Sequence, residues 1–96
     1  MIEYIDNIIK ATSGEDICLF AKAIDAYGTT LEGCSFSLFD DNDSNLFMVE
    51  GVLNEDGVWE FHIPARATHG MKGRYWYCVC DNEHVSLCFK CPIYLV

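Results

Sequence analysis

Short apolar runs, each bounded by a turn signal, recur along the whole chain and limit what it can fold into. Apolar and polar residues alternate in several of these runs, with the period of a β-strand, and 58–63 is a clear example. Clusters of Gly, Asp, Asn, Ser and Pro separate the runs, as turn residues do. This spacing predicts an all-β sandwich of about seven strands, at residues 17–24, 34–39, 46–53, 58–63, 74–80, 85–89 and 93–96.

Several of the separating segments carry specific turn signals. Asp56 and Gly57 form an Asp-Gly pair, which favours a hairpin when strands flank it. Pro64 ends the run before it, because proline cannot donate a hydrogen bond to a central strand. Segments 25–28 and 81–84 are also predicted turns, and 93–96 is predicted to be a final edge strand after Pro92.

The first ten residues allow two interpretations. Ile2, Ile5 and Ile9 have helical spacing, so a short helix is one of them. An irregular strand is the other, and we favour it because every other segment has β character.

Composition excludes several classes of protein. A chain of 96 residues predicts one domain, 1–96, and 51% hydrophobic residues exclude a disordered chain. Six Lys and Arg stand against fifteen Asp and Glu, giving a net charge of -9, so neither nucleic acid nor an anionic membrane is an expected partner. The sequence has no apolar run of about 20 residues and no signal-peptide pattern at its start, so we expect a soluble protein made in the cytosol.

Four of the six cysteines lie close together near the end of the sequence: Cys78, Cys80, Cys88 and Cys91. Their spacing permits a zinc site, in which all four sulfurs must converge on one point. Strand alternation instead predicts Cys78, Cys80 and Cys88 on the outer face of a hairpin and Cys91 on its core face. We therefore favour packing thiols, with a zinc site and a cross-strand Cys78–Cys88 disulfide as alternatives.

Other chemical signals are weak. Segment 40–45 begins like a calcium loop, but Asn45 and Gly51 stand where that loop needs Gly and Glu, so a solvated turn is predicted. His62, His69 and His84 are scattered and form no sequence motif for a metal. A Cys–His pair could still form in space, but no local signature supports one. We expect no enzyme activity, no cofactor and no small-molecule substrate.

A set of loose motifs nevertheless resembles a known family. They are the segments 25–28 (DAYG), 31–33 (LEG), 35–38 (SFSL), 56–65 (DGVWEFHIPA) and 73–77 (GRYWY). Together they resemble the immunoglobulin-like β-sandwich domains of tailed-phage and prophage virion proteins, notably the N-terminal domains of upper baseplate proteins, over roughly residues 17–90. The resemblance implies an immunoglobulin-like antiparallel sandwich. It also implies a small structural or adaptor subunit that binds other virion proteins or itself and is incorporated into a virion.

Aromatic residues on strands are the candidate contacts of such a subunit. We single out Phe47, Trp59, Trp76 and Tyr94 as interface candidates, because large aromatics dominate protein interfaces. Ordinary core packing is the alternative for each of them.

Overall fold

The structure, a computed structural model, describes residues 2–5, 8–22, 31–81 and 86–96, without the side chains of 86–89. Its elements are β1 (Ile2–Ile5), β2 (Ile8–Ala11), β3 (Ile17–Ala21), β4 (Cys34–Phe39), β5 (Asn45–Glu50), β6 (Val52–Leu53), β7 (Trp59–Ile63), α1 (Ala65–Thr68), β8 (Gly73–Asp81) and β9 (Ser86–Leu95). The predicted turn 25–28 and most of the predicted turn 81–84 lie outside the described residues.

The strands form two sheets, which confirms the predicted all-β sandwich. One sheet has the order β1-β2-β9-β8-β4-β5 and the other has the order β3-β7-β6. Strands β9-β8-β4-β5 and β3-β7-β6 follow the orders that an immunoglobulin variable-type domain gives its two sheets. The described strand pairs are antiparallel except β2–β9, which is parallel.

The core lies between the two sheets and follows strand alternation. In β7, Trp59, Phe61 and Ile63 are buried while the residues between them face outward. The ring centroid of Phe36, on β4, lies 5.5 Å from that of Tyr77 in the same sheet and 5.9 Å from that of Phe61 in the other sheet. Phe36 therefore joins the two sheets. The other buried core side chains are Ile9, Ala11, Ile17, Leu19, Cys34, Leu38, Ile93 and Leu95.

The segment 46–53, predicted as one strand, is divided between the two sheets at Gly51. The Gly51 N–H donates to the carbonyl oxygen of Cys34 at 2.7 Å. A Cβ at Gly51 would lie 2.9 Å from that same oxygen and 2.9 Å from the Phe61 ring. Only glycine lets the backbone pass this close, so Gly51 is where the chain leaves one sheet for the other.

Both ends of the described chain lie in the six-stranded sheet. Residues 2–5 and 8–11 form the strands β1 and β2, which confirms the strand interpretation of this segment. The predicted edge strand 93–96 is wrong in its position, since β9 runs through Pro92 and lies between β2 and β8. Because β2 pairs with β9 only from Ile93 onward, the missing N–H of Pro92 does not interrupt that ladder.

Other predicted boundaries hold. The segment around Asp56 and Gly57 is the turn of the β6–β7 hairpin, in which Asn54 N–H donates to the Val58 carbonyl oxygen at 2.9 Å. Gly57 has a φ of 74°, a conformation that glycine adopts without strain. β7 ends at Ile63, directly before Pro64, as predicted.

Candidate functional site

Three chemically reactive side chains meet on the outer face of the three-stranded sheet. Cys18 lies on β3, and Glu60 and His62 lie on the neighbouring strand β7. The core side chains Ile17 and Leu19 alternate with Cys18, so its thiol points away from the core. The register aligns Cys18 with His62 across the two strands. We call these three residues the outer cluster.

The donor atoms of the outer cluster are close together. The Cys18 sulfur, a carboxylate oxygen of Glu60 and a ring nitrogen of His62 all lie within 4.8 Å of one another. Glu60 Oε1 lies 3.0 Å from His62 Nε2. Such a set can bind a divalent cation, because thiolate, imidazole and carboxylate are the protein ligands of zinc.

Asn54 holds the Glu60 carboxylate from the other side. Its side-chain amide donates to Glu60 Oε2 at 3.0 Å. The Asn54 side-chain oxygen in turn accepts the backbone N–H groups of Asp56 and Val58, at 2.9 and 3.0 Å. The hairpin turn therefore fixes the orientation of Glu60.

The electrostatics of the outer cluster keep its thiol protonated. Burial raises the pKa of Cys18 above its ordinary value, and the negative charge of Glu60 raises it further. Burial also raises the pKa of Tyr4 on β1, where a hydrogen bond from the Phe20 backbone opposes the shift and the charge of Cys18 adds to it. A catalytic cysteine needs a lowered pKa, so the cluster does not resemble an activated nucleophile.

The sequence did not single out the outer cluster. Glu60 and His62 are two residues apart on a strand, a spacing that places both side chains on one face. This was the available signal for two of the three residues of the site. Cys18 joins them only through the pairing of β3 with β7, which the local sequence does not specify.

The four C-terminal cysteines do not form a common site in the described part of the chain. Cys78 is buried on the outer face of the six-stranded sheet, where its sulfur accepts the Lys90 backbone N–H at 3.3 Å. Cys91 packs against the core on the opposite face, as alternation predicted. Since these two thiols lie on opposite sides of one sheet, a zinc site made by all four cysteines is wrong.

A bulge in β9 shifts its pairing with β8. Tyr77 is aligned with Cys91, but Val79 is aligned with Cys88, so β9 has an extra residue between these pairs. Lys90, inside this stretch, has a φ of 51°. The backbone position of Cys88 is therefore opposite Val79 and not opposite Cys78, which is the pairing that the alternative Cys78–Cys88 disulfide would need. Cys78 is a reduced thiol in the structure.

The acidic segment 40–45 is a turn, and each of its carboxylates has a protein contact. Asp40 Oδ1 accepts the backbone N–H groups of Asn42 and Ser44, at 2.9 and 3.0 Å. Asp41 accepts the indole N–H of Trp76 at 2.9 Å. Asp43 lies 2.9 Å from the Lys90 ammonium. These contacts agree with the predicted turn and give the carboxylates structural roles.

The four aromatic interface candidates have different environments. Trp59 is buried in the core and Phe47 packs against it, as the core-packing alternative states. Trp76 is half-buried on the outer face of the six-stranded sheet, and Tyr94 is 40% exposed. The structure also exposes aliphatic side chains that the sequence analysis did not name, including Leu46, Met48, Val52 and Leu53.

Comparison with known proteins gives no match, whether to protein-family models, to curated proteins or to solved structures. Within the described residues, no helix has the length and apolar character that crossing a membrane requires. The function therefore has to be argued from the surfaces of the fold.

Proposed function

We propose that this chain is a non-enzymatic assembly domain of a phage or prophage particle, which works through protein–protein contacts. The resemblance of its motifs to virion sandwich domains supports the setting. The observation that carries the proposal is the edge of the sandwich formed by β5 and β6, where four apolar side chains are exposed; we call this edge the apolar strip.

The apolar strip consists of four side chains within eight residues of sequence. Leu46 and Met48 come from β5, and Val52 and Leu53 come from β6; Met48 is 48% exposed and Val52 is 59% exposed. β5 is the last strand of the six-stranded sheet and β6 is the last strand of the three-stranded sheet. Both sheets therefore end at the strip, since no other strand among the described residues pairs with the outer edge of β5 or β6.

The backbone of β5 is suited to receive another strand. Because the Gly51 N–H donates to Cys34, alternation turns the N–H and C=O groups of Met48 away from β4; the register shift of this ladder lies beyond it, between Leu38 and Phe39. Natural proteins commonly protect such edges with Lys or Pro. Neither residue occurs in β5 or β6. An added strand would gain both ladder hydrogen bonds and apolar contacts.

A second copy of the chain is the partner that we propose for the strip. Antiparallel pairing of β5 with itself gives a closed two-fold dimer and joins the two large sheets into one. An axis beside Met48 would place Met48 of one copy opposite Met48 of the other. With a net charge of -9, the rest of the surface disfavours other contacts between copies.

Sedimentation equilibrium over a range of protein concentrations tests this proposal. We expect a dimer for the unchanged protein and a monomer for Met48→Lys, since two ammonium groups would face each other across the new strand pair. The matched control is Ile5→Lys on β1, where the side chain is 66% exposed at the opposite edge of the same sheet.

The control should stay dimeric, and both variants should unfold at the temperature of the unchanged protein in dilute solution. A monomer at every concentration for the unchanged protein would overturn self-association. Loss of the dimer in Ile5→Lys with retention in Met48→Lys would place the interface at the other edge.

A further inference from the structure

We propose that Cys18, Glu60 and His62 form a binding site for a zinc-like divalent cation on the outer face of the three-stranded sheet. The site would use one sulfur, one nitrogen and one oxygen ligand and leave a coordination position open to solvent. It is independent of the apolar strip and of the C-terminal cysteines.

The spacing of the donor atoms suits such an ion. Zinc lies about 2.3 Å from sulfur and about 2.0–2.2 Å from nitrogen or oxygen, so neighbouring ligand atoms in a tetrahedral site are about 3.3–3.6 Å apart. The carboxylate and imidazole atoms are 3.0 Å apart, and all three donors lie within 4.8 Å. Zinc binding therefore requires the most widely separated donor atoms to approach each other by about 1 Å.

The strands supply a rigid support for these ligands. The side chains that alternate with them, among them Leu19, Phe61 and Ile63, are buried in the core. Binding sites on strands hold geometry better than sites on loops. Cys18 and His62 are also fixed relative to each other by the β3–β7 ladder.

The contacts around the ligands match those of metal sites. Metal-bound carboxylates usually accept a further hydrogen bond that orients them. Asn54 gives that bond to Glu60 Oε2, and an ion would replace the contact between Glu60 Oε1 and His62 Nε2. When bound, a thiolate and a carboxylate supply two negative charges for a divalent cation, and the thiol proton passes to solvent.

The open coordination position follows from exposure. The His62 side chain is 61% exposed. An open groove lies beside Cys18 and His62 and continues along Asp16, Pro64 and Arg66. Water or a ligand from solution can therefore reach a bound ion, which is the arrangement of catalytic and exchangeable zinc sites and not that of closed structural ones.

Titration with Co(II) and competition by Zn(II) test the site. Cobalt reports its ligands, because a thiolate gives a charge-transfer band and tetrahedral geometry gives intense visible bands. We expect one equivalent to bind and Zn(II) to displace it. Cys18→Ser should remove the charge-transfer band, and His62→Ala should weaken binding by at least about tenfold, since it removes a direct ligand.

Two matched controls separate this site from other thiols and imidazoles. Cys80→Ser changes a half-buried cysteine of the C-terminal set, and His69→Ala changes a histidine outside the outer cluster. Both should bind cobalt as the unchanged protein does. Circular dichroism and thermal unfolding of the metal-free variants establish that each is folded.

Two results would overturn the proposal. One is a folded, reduced protein that binds neither Co(II) nor Zn(II) at concentrations up to about 1 mM, which corresponds to a binding free energy weaker than about 4 kcal/mol. The other is a charge-transfer band that survives Cys18→Ser and disappears in Cys80→Ser.

Discussion

The outer faces of the two sheets carry different arrangements of polar side chains. On the six-stranded sheet, Trp76 lies beneath Arg74 and Lys90, whose charged ends are 4.9 and 5.7 Å from its ring centre. Asp43 pairs with Lys90, so acidic and basic groups meet there. On the three-stranded sheet, the outer cluster gathers a thiol, a carboxylate and an imidazole.

The difference shows that the environment of a cysteine depends on its place in the sheets and not on the cysteines near it in the sequence. Cys78 belongs to the conspicuous C-terminal group, yet it is buried and its sulfur accepts a backbone N–H. Cys18 has no cysteine near it in the sequence, yet it meets two other metal-binding side chains. In strands, residues two apart share a face, and the cross-strand register then decides which side chains of the neighbouring strand they meet.

The two sheets are connected at Gly51, where we expect a substitution to have the largest effect on stability. In Gly51→Ala, the new methyl group would meet the Cys34 carbonyl oxygen and the Phe61 ring at 2.9 Å. We expect a loss of about 3 kcal/mol in the free energy of unfolding, because backbone atoms cannot move aside as a flexible side chain can. Urea unfolding measures this loss.

Gly57→Ala is the control, since an added Cβ there meets nothing within 4 Å and only the φ of 74° is unfavourable. A smaller loss, of about 1 kcal/mol, is expected for it. Equal losses in the two variants would show that the close approach at Gly51 is not what matters.

The buried thiol of Cys34 should make the free energy of unfolding depend on pH. Burial raises its pKa to about 11 from an ordinary value of 9.0, and the charges of Cys80 and Asp81 add to the shift. The unfolded chain therefore releases this proton first. The contribution of the protonated Cys34 thiol to the free energy of unfolding is fully present below pH 9. It is lost as pH rises from 9 to 11, by about 2–3 kcal/mol in total.

Urea unfolding at several pH values measures this slope. In Cys34→Ala, the free energy of unfolding should fall less steeply with pH over the same interval, because the substitution removes the titrating group. An identical slope in Cys34→Ala would assign the alkaline loss to other residues.

Trp76 tests the paired charges of the six-stranded face. Trp76→Ala removes the hydrogen bond to Asp41 and the ring that lies beneath two cations. We expect a loss of about 1–2 kcal/mol in thermal or urea unfolding, since exposed cation–π contacts contribute about 0.5–1 kcal/mol each. Trp76→Phe should lose less, because it keeps a ring. No loss in either variant would leave this face without a role in stability.

The smallest effect separates Cys78 and Cys18, thiols on the outer faces of the two sheets. Cys78→Ser puts a hydroxyl into a buried position and should cost about 1 kcal/mol. Cys18→Ser changes a partly exposed side chain and should alter metal-free stability by less than about 0.5 kcal/mol. Thermal unfolding of both variants in a chelating buffer measures the difference. The reverse order would remove the distinction between a packing thiol and a ligand thiol.

Local pattern predicted much of the fold. Alternation in β8 placed Tyr77 toward the core and Cys78 away from it, and the β6–β7 hairpin appeared at its Asp-Gly signal. The change of sheet at Gly51 was not predicted, because that glycine is required by atoms of Cys34 and Phe61 that are distant in sequence. The bulge near Lys90 was missed because it changes register without a local signal.

The candidate sites divide in the same way. Glu60 and His62 could be placed on one face from their spacing, but their meeting with Cys18 depends on a long-range register. The apolar strip was partly visible as the run 46–53. Its exposure depends on which face of β5 is buried: Phe47 packs inward, so Leu46 and Met48 face solvent.

The parallel pairing of β2 with β9 has a consequence for synthesis on the ribosome. Residues 9–11 are made early, yet their partners are residues 93–95, and the Val96 N–H donates to the Ala11 carbonyl oxygen. β2 has no sheet to join until those late residues emerge. A nascent chain that stops before β9 leaves both β2 and β8 with open edges, the state in which a β protein is most easily captured by a chaperone or by another unfinished copy.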